Sequence, residues 1–303
     1  MKSFRGRTVL VTGASSGIGE AFCRNLAKRG SNLILVARSA DKLEHLAETL
    51  SCQYNVDLSC IPIDLAKVNS SQDLFDQVQD AGLSVDVLIN NAGFGYWGNF
   101  EFASLQDYQN MVNLNVRSMV SLSYLFLPSM LEKQCGGIIN VGSVVGLQPV
   151  PYGSVYVGTK AFVLQYSESL WGEYRRKGIT VTALCPGTTK TNFFNVSIPD
   201  QQLRESRMLN MPKGHSPDFV AEVGLNQFLR GKSQAIPGKV NYLVAQASQL
   251  LLLLARSLAI RITASLFDPK KDLLKIKKIF RKLKIGIAIN PENFDKKYIE
   301  SIR

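Results

Sequence analysis

Three glycines near the start of the chain place the strongest constraint on its fold. Gly13, Gly17 and Gly19 follow an apolar run that ends at Thr12, and a helical pattern continues to Gly30. This order predicts a strand, a tight turn and a helix, with glycine needed for the turn, for close approach of a ligand and for helix packing. The unpaired N–H groups that open such a helix suit a pyrophosphate. The spacing G-x-x-x-G-x-G is not the commoner G-x-G-x-x-G, so on this motif alone a turn that binds nothing stays an alternative.

Apolar, strand-like runs alternate with amphipathic helical stretches along most of the chain. The runs lie at residues 8–12, 32–37, 58–63, 86–90, 137–142, 179–184 and 234–236. Strands that are apolar throughout and joined by helices predict a parallel sheet covered on both faces. We therefore expect an α/β fold, a doubly wound (Rossmann) parallel sheet of about seven strands over residues 1–238, with a C-terminal helical extension at 239–303.

Serines precede several of the predicted helices. Ser70 and Ser104 each stand three residues before an aspartate, which predicts two capping boxes. Ser216 followed by Pro217 predicts an N-cap with proline in the first turn. Ser39 is either the N-cap of the next helix or a contact to a phosphate.

Cysteine and histidine content excludes several kinds of site. The five cysteines are odd in number and contain no C-x-x-C pair, which predicts reduced, buried thiols in a cytoplasmic protein. The two histidines argue against a histidine-rich metal site and against a Ser-His-Asp triad, so we expect no metal. No basic and apolar segment with a cleavage site opens the sequence, so we predict no secretory signal.

Positive charge is concentrated late in the chain. The net charge is +11, and residues 270–284 carry eight lysines and arginines against one aspartate, a net +7. The basicity therefore belongs to the extension, and we do not expect the main domain to bind nucleic acid.

Polar residues follow the second and third predicted strands. Arg38 ends the second strand, where a dinucleotide fold uses an arginine to accommodate a 2′-phosphate and an acid to bind a ribose hydroxyl. Arg38 thus favours NADP(H) over NAD(H), the alternative being a solvated arginine at a strand end. Asp64, directly after the third strand, can accept from an adenine amino group or cap a turn.

A tyrosine and a lysine share one face of a later predicted helix. Tyr156 and Lys160 are four residues apart, and the helix starts soon after a strand that ends at Ser143. Alone, each of these residues is explained by an amphipathic surface pair or by a strand-end hydroxyl. Together, however, the three residues lie at the carboxyl ends of parallel strands, where ligands of open sheets bind, and this favours a catalytic role.

The ordered set of motifs carries a family resemblance. The set is Thr12-Gly-Ala-Ser-Ser-Gly17-Ile-Gly19, Asn90-Asn91-Ala92-Gly93, Ser143, Tyr156-x-x-x-Lys160 and Pro186-Gly187. It resembles the short-chain dehydrogenase/reductase family, in its compact single-domain branch, over roughly residues 5–235. The resemblance implies that Asn115, rather than Asn113, holds a proton-relay water. It also implies that Pro186–Thr191 contacts the nicotinamide carboxamide, with Thr189 in place of the family's more frequent aliphatic residue.

The resemblance implies the following sites. The catalytic residues are Asn115, Ser143, Tyr156 and Lys160. The cofactor-binding residues are Gly13, Ser15, Ser16, Gly17, Ile18, Gly19, Arg38, Asp64, Leu65, Asn91, Ala92, Gly93, Tyr156, Lys160, Pro186, Gly187, Thr189 and Thr191.

The chemistry expected of these residues is hydride transfer between a carbonyl and a secondary alcohol, with NADP(H) as cofactor. Tyr156 is the expected general acid and base, and Ser143 places the substrate oxygen. An ammonium about 5 Å from the phenol is worth roughly 3 kcal/mol, so we expect Lys160 to lower the tyrosine pKa by about two units.

The substrate end is predicted to be apolar. The long stretch 192–215, which contains Phe193, Phe194, Met208 and Met211, is expected to close over a hydrophobic substrate together with Tyr96 and Trp97. A 3-oxoacyl compound, a steroid-like molecule or another ketone or aldehyde fits this description. Ordinary core packing is the alternative for these side chains.

The extension divides into an apolar part and a basic part. Val240–Ala255 is uncharged, but its 16 residues span about 24 Å as a helix, short of a hydrocarbon core of about 30 Å. Packing on the domain, a partner or a membrane surface is favoured over a membrane span. The basic stretch 270–284 has the pattern of an interfacial helix on anionic lipid, and a solvated helix covering the core is the alternative.

Two other functions stay open from the sequence. The chain could be a dinucleotide-binding regulator without turnover, or a scaffold whose tail docks on a membrane or a partner. The complete set of proton-transfer residues argues against a regulator without turnover. That set is Asn115, Ser143, Tyr156 and Lys160. The family resemblance alone implies a homodimer or homotetramer.

Overall fold

The computed structural model of the chain describes residues 1–193, 197 and 214–267. The strands in this part are β1 (Thr8–Thr12), β2 (Asn32–Ala37), β3 (Leu58–Pro62), β4 (Val87–Asn90), β5 (Gly136–Val141), β6 (Ile179–Leu184) and β7 (Gln234–Ala235). The α-helices are α1 (Gly17–Lys28), α2 (Ala40–Gln53), α3 (Ser70–Asp80), α4 (Leu105–Val112), α5 (Met119–Glu132), α6 (Ser154–Tyr174), α7 (Pro217–Leu229) and α8 (Lys239–Phe267). A π-helix, Asn113–Ser118, joins α4 to α5.

The strands form one parallel sheet in the order β3-β2-β1-β4-β5-β6-β7. Val9 of β1 pairs with Leu33 on one side and with Val87 on the other, so the chain order reverses between β1 and β4. This arrangement confirms the predicted doubly wound sheet of seven strands. Ligands of such sheets bind outside the carboxyl ends of the strands at the reversal point.

Both faces of the sheet are buried by helices. Along β1, Val9 and Val11 pack in a core cluster with residues of α1, α2 and α7. Leu10, which points the opposite way, packs with residues of α3 and α5. Because helices cover both faces of the inner strands, these strands are nearly continuous apolar runs, whereas the edge strand β3 is only partly buried.

Two of the predicted helix caps form and one does not. The hydroxyls of Ser104 and Ser216 accept hydrogen bonds from the N–H groups three residues later, at 3.1 and 3.2 Å. The capping box at Ser70 is wrong, because Asn69 is the N-cap at φ 69° and the Ser70 hydroxyl donates to the Lys67 carbonyl. Asparagine tolerates this left-handed conformation, so the helix begins directly after it.

The C-terminal helix begins four residues after β7. Helix α8 has non-helical dihedral angles at Ala255, which divide it into two parts. Its stretch Lys239–Arg261 has the length and the apolar composition of a helix that could cross a membrane. Only 11% of its most apolar segment of 18 residues is buried. The basic stretch 270–284 lies outside the described residues.

Candidate active site

The glycine turn opens the cleft between β1 and α1. Gly13 and Gly17 have φ angles of 67° and 59°, in the left-handed region that other residues rarely adopt. A Cβ on Gly19 would stand 2.0 Å from the Gly13 carbonyl oxygen, so α1 approaches the end of β1 as closely as glycine permits. A Cβ on Gly17 would stand 3.1 Å from the Thr191 methyl, which places the sixth-strand loop opposite the turn.

A buried threonine fixes the turn to the neighbouring strand. The Thr12 hydroxyl donates to the Ile89 carbonyl at 3.2 Å and accepts from the N–H groups of Asn91 and Ala92, both at 3.0 Å. The Asn91 amide in turn donates to the Thr12 carbonyl at 2.9 Å. Sequence reasoning missed this role of Thr12, although its place at the end of a buried strand was a signal for it.

A second buried network, also missed, joins β4, β5 and α6. The Asn90 amide donates to the Asn140 side-chain oxygen at 2.8 Å, and the Asn140 amide donates to the Ser167 hydroxyl at 2.9 Å. Buried polar groups of this kind are costly unless paired, and once paired they fix one arrangement. The network therefore sets the position of α6 on the sheet.

The end of the cleft next to β2 and α2 carries basic side chains. Arg38 and Ser39 are exposed after β2, and Ser39 is the N-cap residue of α2 without a side-chain capping bond. Lys42 and Arg24 line the same part of the cleft and were not predicted. The Asp64 carboxylate accepts a hydrogen bond from the Ala66 N–H at 3.1 Å, as expected for a residue that caps a turn. Asp64 also lines the cleft.

Tyr156 and Ser143 meet at the other end of the cleft. Tyr156 lies in the first turn of α6, is buried, and forms a side-chain hydrogen bond with Ser143. The Ser143 hydroxyl also accepts from the Val145 N–H at 3.3 Å, in the turn that follows β5. The structure thus brings together two residues 13 positions apart in the sequence.

Lys160 lies one helical turn beyond the tyrosine. Its ammonium donates to the Val141 carbonyl at 2.8 Å and stands 5.7 Å from the centroid of the Tyr156 ring. Burial lowers the pKa of Lys160 to about 8, so the ammonium form still predominates at neutral pH.

The predicted lowering of the tyrosine pKa is wrong for this geometry. Burial raises the pKa of Tyr156 above its ordinary value, and the hydrogen bond from Ser143 only partly opposes that effect. The lysine is itself desolvated and is held by the Val141 carbonyl beside the ring, so desolvation of the phenol outweighs it. The phenol is therefore protonated at neutral pH.

Asn115 lies in the π-helix between α4 and α5. Its side-chain oxygen accepts from the Phe94 N–H at 3.1 Å, and its amide donates to the Phe94 carbonyl at 2.9 Å and to the Thr159 hydroxyl at 3.1 Å. A Cβ on Gly93 would stand 2.9 Å from this oxygen and 3.6 Å from the Lys160 ammonium. Asn115 is thus close to Lys160, behind the backbone of residues 93–94.

The loop after β6 lies along the same cleft. The Pro186 carbonyl accepts from the Val144 N–H at 3.0 Å and from the Ser143 hydroxyl at 3.4 Å. Thr189 pairs with His215 in an isolated parallel bridge. These contacts hold the loop against the end of β5.

The cleft has a volume of about 1580 Å³. All the predicted site residues line it except Gly19 and Asn115, which lie behind it. Trp97 and Phe193 pack on the Tyr156 ring, with centroids 5.7 and 5.5 Å away, and also line the cleft, whereas Tyr96 does not. Phe194, Met208 and Met211 lie outside the described residues. No group of three or more histidines, cysteines or acids suited to a metal occurs in the part that the structure describes.

Comparison with known proteins identifies the family. The sequence model of the short chain dehydrogenase family matches residues 7–202, a span that includes the glycine turn, Ser143, Tyr156 and Lys160. The chain belongs to this family. Short-chain dehydrogenases are NAD(P)-dependent oxidoreductases of CH–OH and C=O groups, so the family predicted from the sequence is confirmed.

Individual members of the short-chain dehydrogenase family match over different extents. Very-long-chain 3-oxoacyl-CoA reductase from Mus musculus is 36% identical over 200 residues, which cover 64% of this chain and 63% of that protein. The chain thus matches less than two thirds of that relative's length.

Solved structures match over more of their length. The short-chain dehydrogenase from Sphingobium yanoikuyae in complex with NADPH has a TM-score of 0.71 and 29% identity, covering 82% of this chain and 96% of that one. L-sorbose reductase from Gluconobacter frateurii, complexed with NADPH and L-sorbose, has a TM-score of 0.67 and 25% identity, covering 78% of this chain and 95% of that one.

Substitution of Gly19 tests the close packing at the glycine turn. A Cβ there would overlap the Gly13 carbonyl, so we expect Gly19→Ala to lower the free energy of unfolding by about 2 kcal/mol or more and to weaken dinucleotide binding. Gly172→Ala is the control, because its Cβ meets nothing within 4 Å and alanine favours the helix by about 1 kcal/mol. Urea unfolding measures the stability of the two variants, and dinucleotide titration measures their binding. Equal stability and binding of the two variants would contradict the packing argument.

Substitution of Lys160 tests its burial through the pH dependence of stability. The lysine pKa is lowered from 10.5 to about 8, so between these values the unfolded chain binds more protons than the folded one. The contribution of Lys160 to the free energy of unfolding should therefore rise with pH over this range, by on the order of 3 kcal/mol. We expect any advantage of Lys160→Met in urea unfolding to be largest below pH of about 8 and to shrink above it. Exposed Lys177→Met is the control, and a pH-independent difference at Lys160 would show that the ammonium is not desolvated.

Proposed function

We propose that the protein is an NADP(H)-dependent oxidoreductase that interconverts a carbonyl and a secondary alcohol on a hydrophobic substrate. The observation that carries this proposal is that Tyr156, Ser143 and Lys160 line the same cleft as the glycine turn. Residues 1–238 form the catalytic domain in this proposal, and 239–303 an extension that it does not need for chemistry.

The cleft residues fit a dinucleotide phosphate. Gly13, Gly17 and Gly19 let the backbone of the turn pack closely, since a Cβ at Gly13 or Gly19 would overlap neighbouring atoms, and Ser16 makes no side-chain capping bond at the helix start. The first-turn N–H groups of α1 can then bind the pyrophosphate. Arg38 would hold the 2′-phosphate, with Lys42 adding positive charge beside it.

The acid–base chemistry follows from the state of the phenol. A nicotinamide bound along residues 186–191 would exchange a hydride with the carbonyl carbon. Because its pKa is raised, Tyr156 holds its proton at neutral pH and can give it to the substrate oxygen, while Ser143 donates a second hydrogen bond to that oxygen.

Lys160 then stabilises the tyrosinate that remains after proton transfer. The ammonium stands 5.7 Å from the centroid of the tyrosine ring. Opposite unit charges separated by about 5–6 Å attract by roughly 3 kcal/mol at an effective dielectric constant of about 20. Asn115, near Lys160 behind residues 93–94, would hold the water through which the proton is replaced, as the family resemblance implies.

The walls of the cleft favour an apolar substrate. Trp97, Phe193 and Val150 surround the tyrosine on the side away from the glycine turn. The name of the mouse relative supports a long-chain 3-oxoacyl thioester as the first compound to test, followed by steroid-like ketones and aldehydes. A polar sugar, as bound by the sorbose reductase, matches these walls poorly.

The remaining proposals concern assembly and location. A homodimer or homotetramer through α4 and α5 is implied by the family resemblance, and exposed Leu105 and Tyr124 on these helices agree with it. We propose a cytoplasmic enzyme associated with a membrane surface. A regulator without turnover stays the alternative, and the Tyr156–Ser143 hydrogen bond favours the enzyme.

Removal of the phenolic hydroxyl tests the proton donor. We expect Tyr156→Phe to lower kcat/KM for reduction of a 3-oxoacyl thioester by roughly 10²–10⁴-fold, because the phenol supplies the proton to the substrate oxygen, and to change NADPH affinity far less. Tyr124→Phe, at a tyrosine that is 77% exposed, should change neither quantity. Turnover is followed at the nicotinamide absorbance band, and full activity of Tyr156→Phe would remove the proposed mechanism.

Reversal of charge at residue 38 tests cofactor choice. We expect Arg38→Asp to change the ratio of NADP(H) to NAD(H) affinities by roughly 100-fold or more towards NAD(H), since a charge-assisted contact is lost and a repulsive one is gained. The exposed Arg176, which does not line the cleft, provides the matched Arg176→Asp control. Fluorescence titration gives both affinities, and an unchanged ratio would defeat the phosphate assignment.

A further inference from the structure

Helix α8 presents an apolar face to solvent. Its first part, residues 239–254, exposes a row of aliphatic side chains, and Leu253 is 81% exposed. The exposed aliphatic residues, which we call the outer leucine face, are Val240, Leu243, Val244, Leu250, Leu253 and Leu254. An apolar surface of this extent usually marks an interaction site in a protein.

The opposite side of α8 is fixed to the catalytic domain. The Asn241 amide donates to the Pro237 carbonyl at 2.8 Å and lies against Gly187, where a Cβ would stand 2.5 Å away. Ala245 packs in a buried cluster with Leu147 and Cys185. Because this narrow side is already engaged, the helix cannot turn its leucines towards the core.

The same fixed side forms part of the rim of the cleft. Asn241 and Ser248 line the cleft that contains Tyr156, and so does Val244 at the edge of the outer leucine face. The outer leucine face therefore lies directly beside the opening through which a substrate reaches the tyrosine.

The charge that follows the helix indicates what covers the leucines. Arg256 and Arg261 succeed the outer leucine face, and residues 270–284 add a net +7. A purely protein-covered apolar face needs no such charge, whereas leucine next to lysine and arginine is the combination that binds anionic lipid surfaces.

The geometry argues for docking on a bilayer rather than crossing it. The 16 residues before Ala255 span about 24 Å, less than a hydrocarbon core of about 30 Å, and the backbone at Ala255 leaves the helical conformation. Interrupted helical hydrogen bonds are costly in hydrocarbon, and the start of α8 is held by the domain.

We propose that α8 docks the protein on the surface of an anionic lipid bilayer, with the outer leucine face in the interfacial region and Arg256 and Arg261 near the lipid headgroups. Docking places the mouth of the cleft at the bilayer, so an apolar substrate enters from the lipid. The docking stands on α8 alone, and only the route of substrate entry rests on the proposed function.

Flotation of the full-length protein with vesicles tests the docking. Vesicles of phosphatidylcholine with and without about 30% phosphatidylserine are compared for wild type and for the combined variant Leu250→Gln, Leu253→Gln, Leu254→Gln. We expect wild type to float with the anionic vesicles, the variant to partition roughly 100-fold less, and binding to fall as salt rises from about 0.1 to about 0.5 M. Val68→Gln is the control at an equally accessible aliphatic residue (70% exposed) far along the chain, and should float like wild type.

Each contrary result overturns the docking. Absence of wild-type flotation, or equal flotation of the leucine variant, removes it. Retention on vesicles after an alkaline carbonate wash would show a spanning helix instead. Failure of wild type to float, with a shift from dimer to monomer in the leucine variant on sedimentation, would show that a second copy covers the face. NADPH binding by the variant reports that it is folded, and because flotation needs no turnover, an inactive protein that floats defeats the proposed function alone.

Discussion

A buried threonine hydroxyl joins the two strands between which the cleft opens. Thr12 ends β1, and its three hydrogen bonds reach Ile89, Asn91 and Ala92 at the end of β4. These are the strands at which the chain order of the sheet reverses. With the strand ends tied, Gly13 can turn directly into α1, and the turn and the loop after β4 face the same space. The cradle for a phosphate and the backbone beside the tyrosine both depend on this junction.

The catalytic end depends on a balance between burial and charge. The wall formed by Trp97 and Phe193 removes water from Tyr156, which keeps the phenol protonated. The same burial lowers the pKa of Lys160, but the hydrogen bond to the Val141 carbonyl replaces some of the lost hydration of the ammonium. A buried site thus holds a protonated phenol next to a cation, and in the proposed mechanism the phenol donates its proton and the cation stabilises the tyrosinate that remains.

Helix α8 connects this chemistry to the surface of the molecule. Its inner side shapes the rim of the cleft at Asn241 and Ser248, and its outer side carries leucines that nothing in the described part of the chain covers. An apolar substrate and an apolar docking face at one opening are mutually consistent, since a compound that prefers lipid over water would then not need to cross the aqueous phase.

Local pattern determined much of this protein. The apolar runs predicted the seven strands to within a residue or two, and the glycines predicted the turn, because strand periodicity, conformational freedom and helix starts depend on neighbouring residues. The predicted site residues other than Gly19 and Asn115 also line one cleft, since parallel strands bring their carboxyl ends to the same edge. Only the tertiary structure decided the roles of Thr12 and of the Asn90–Asn140 pair, because their partners lie far away in the sequence. The tertiary structure also decided that the pKa of Tyr156 is raised, because this shift depends on how much water the fold removes from the phenol. It decided as well which side of α8 faces the domain, because an apolar run without periodicity does not specify a side.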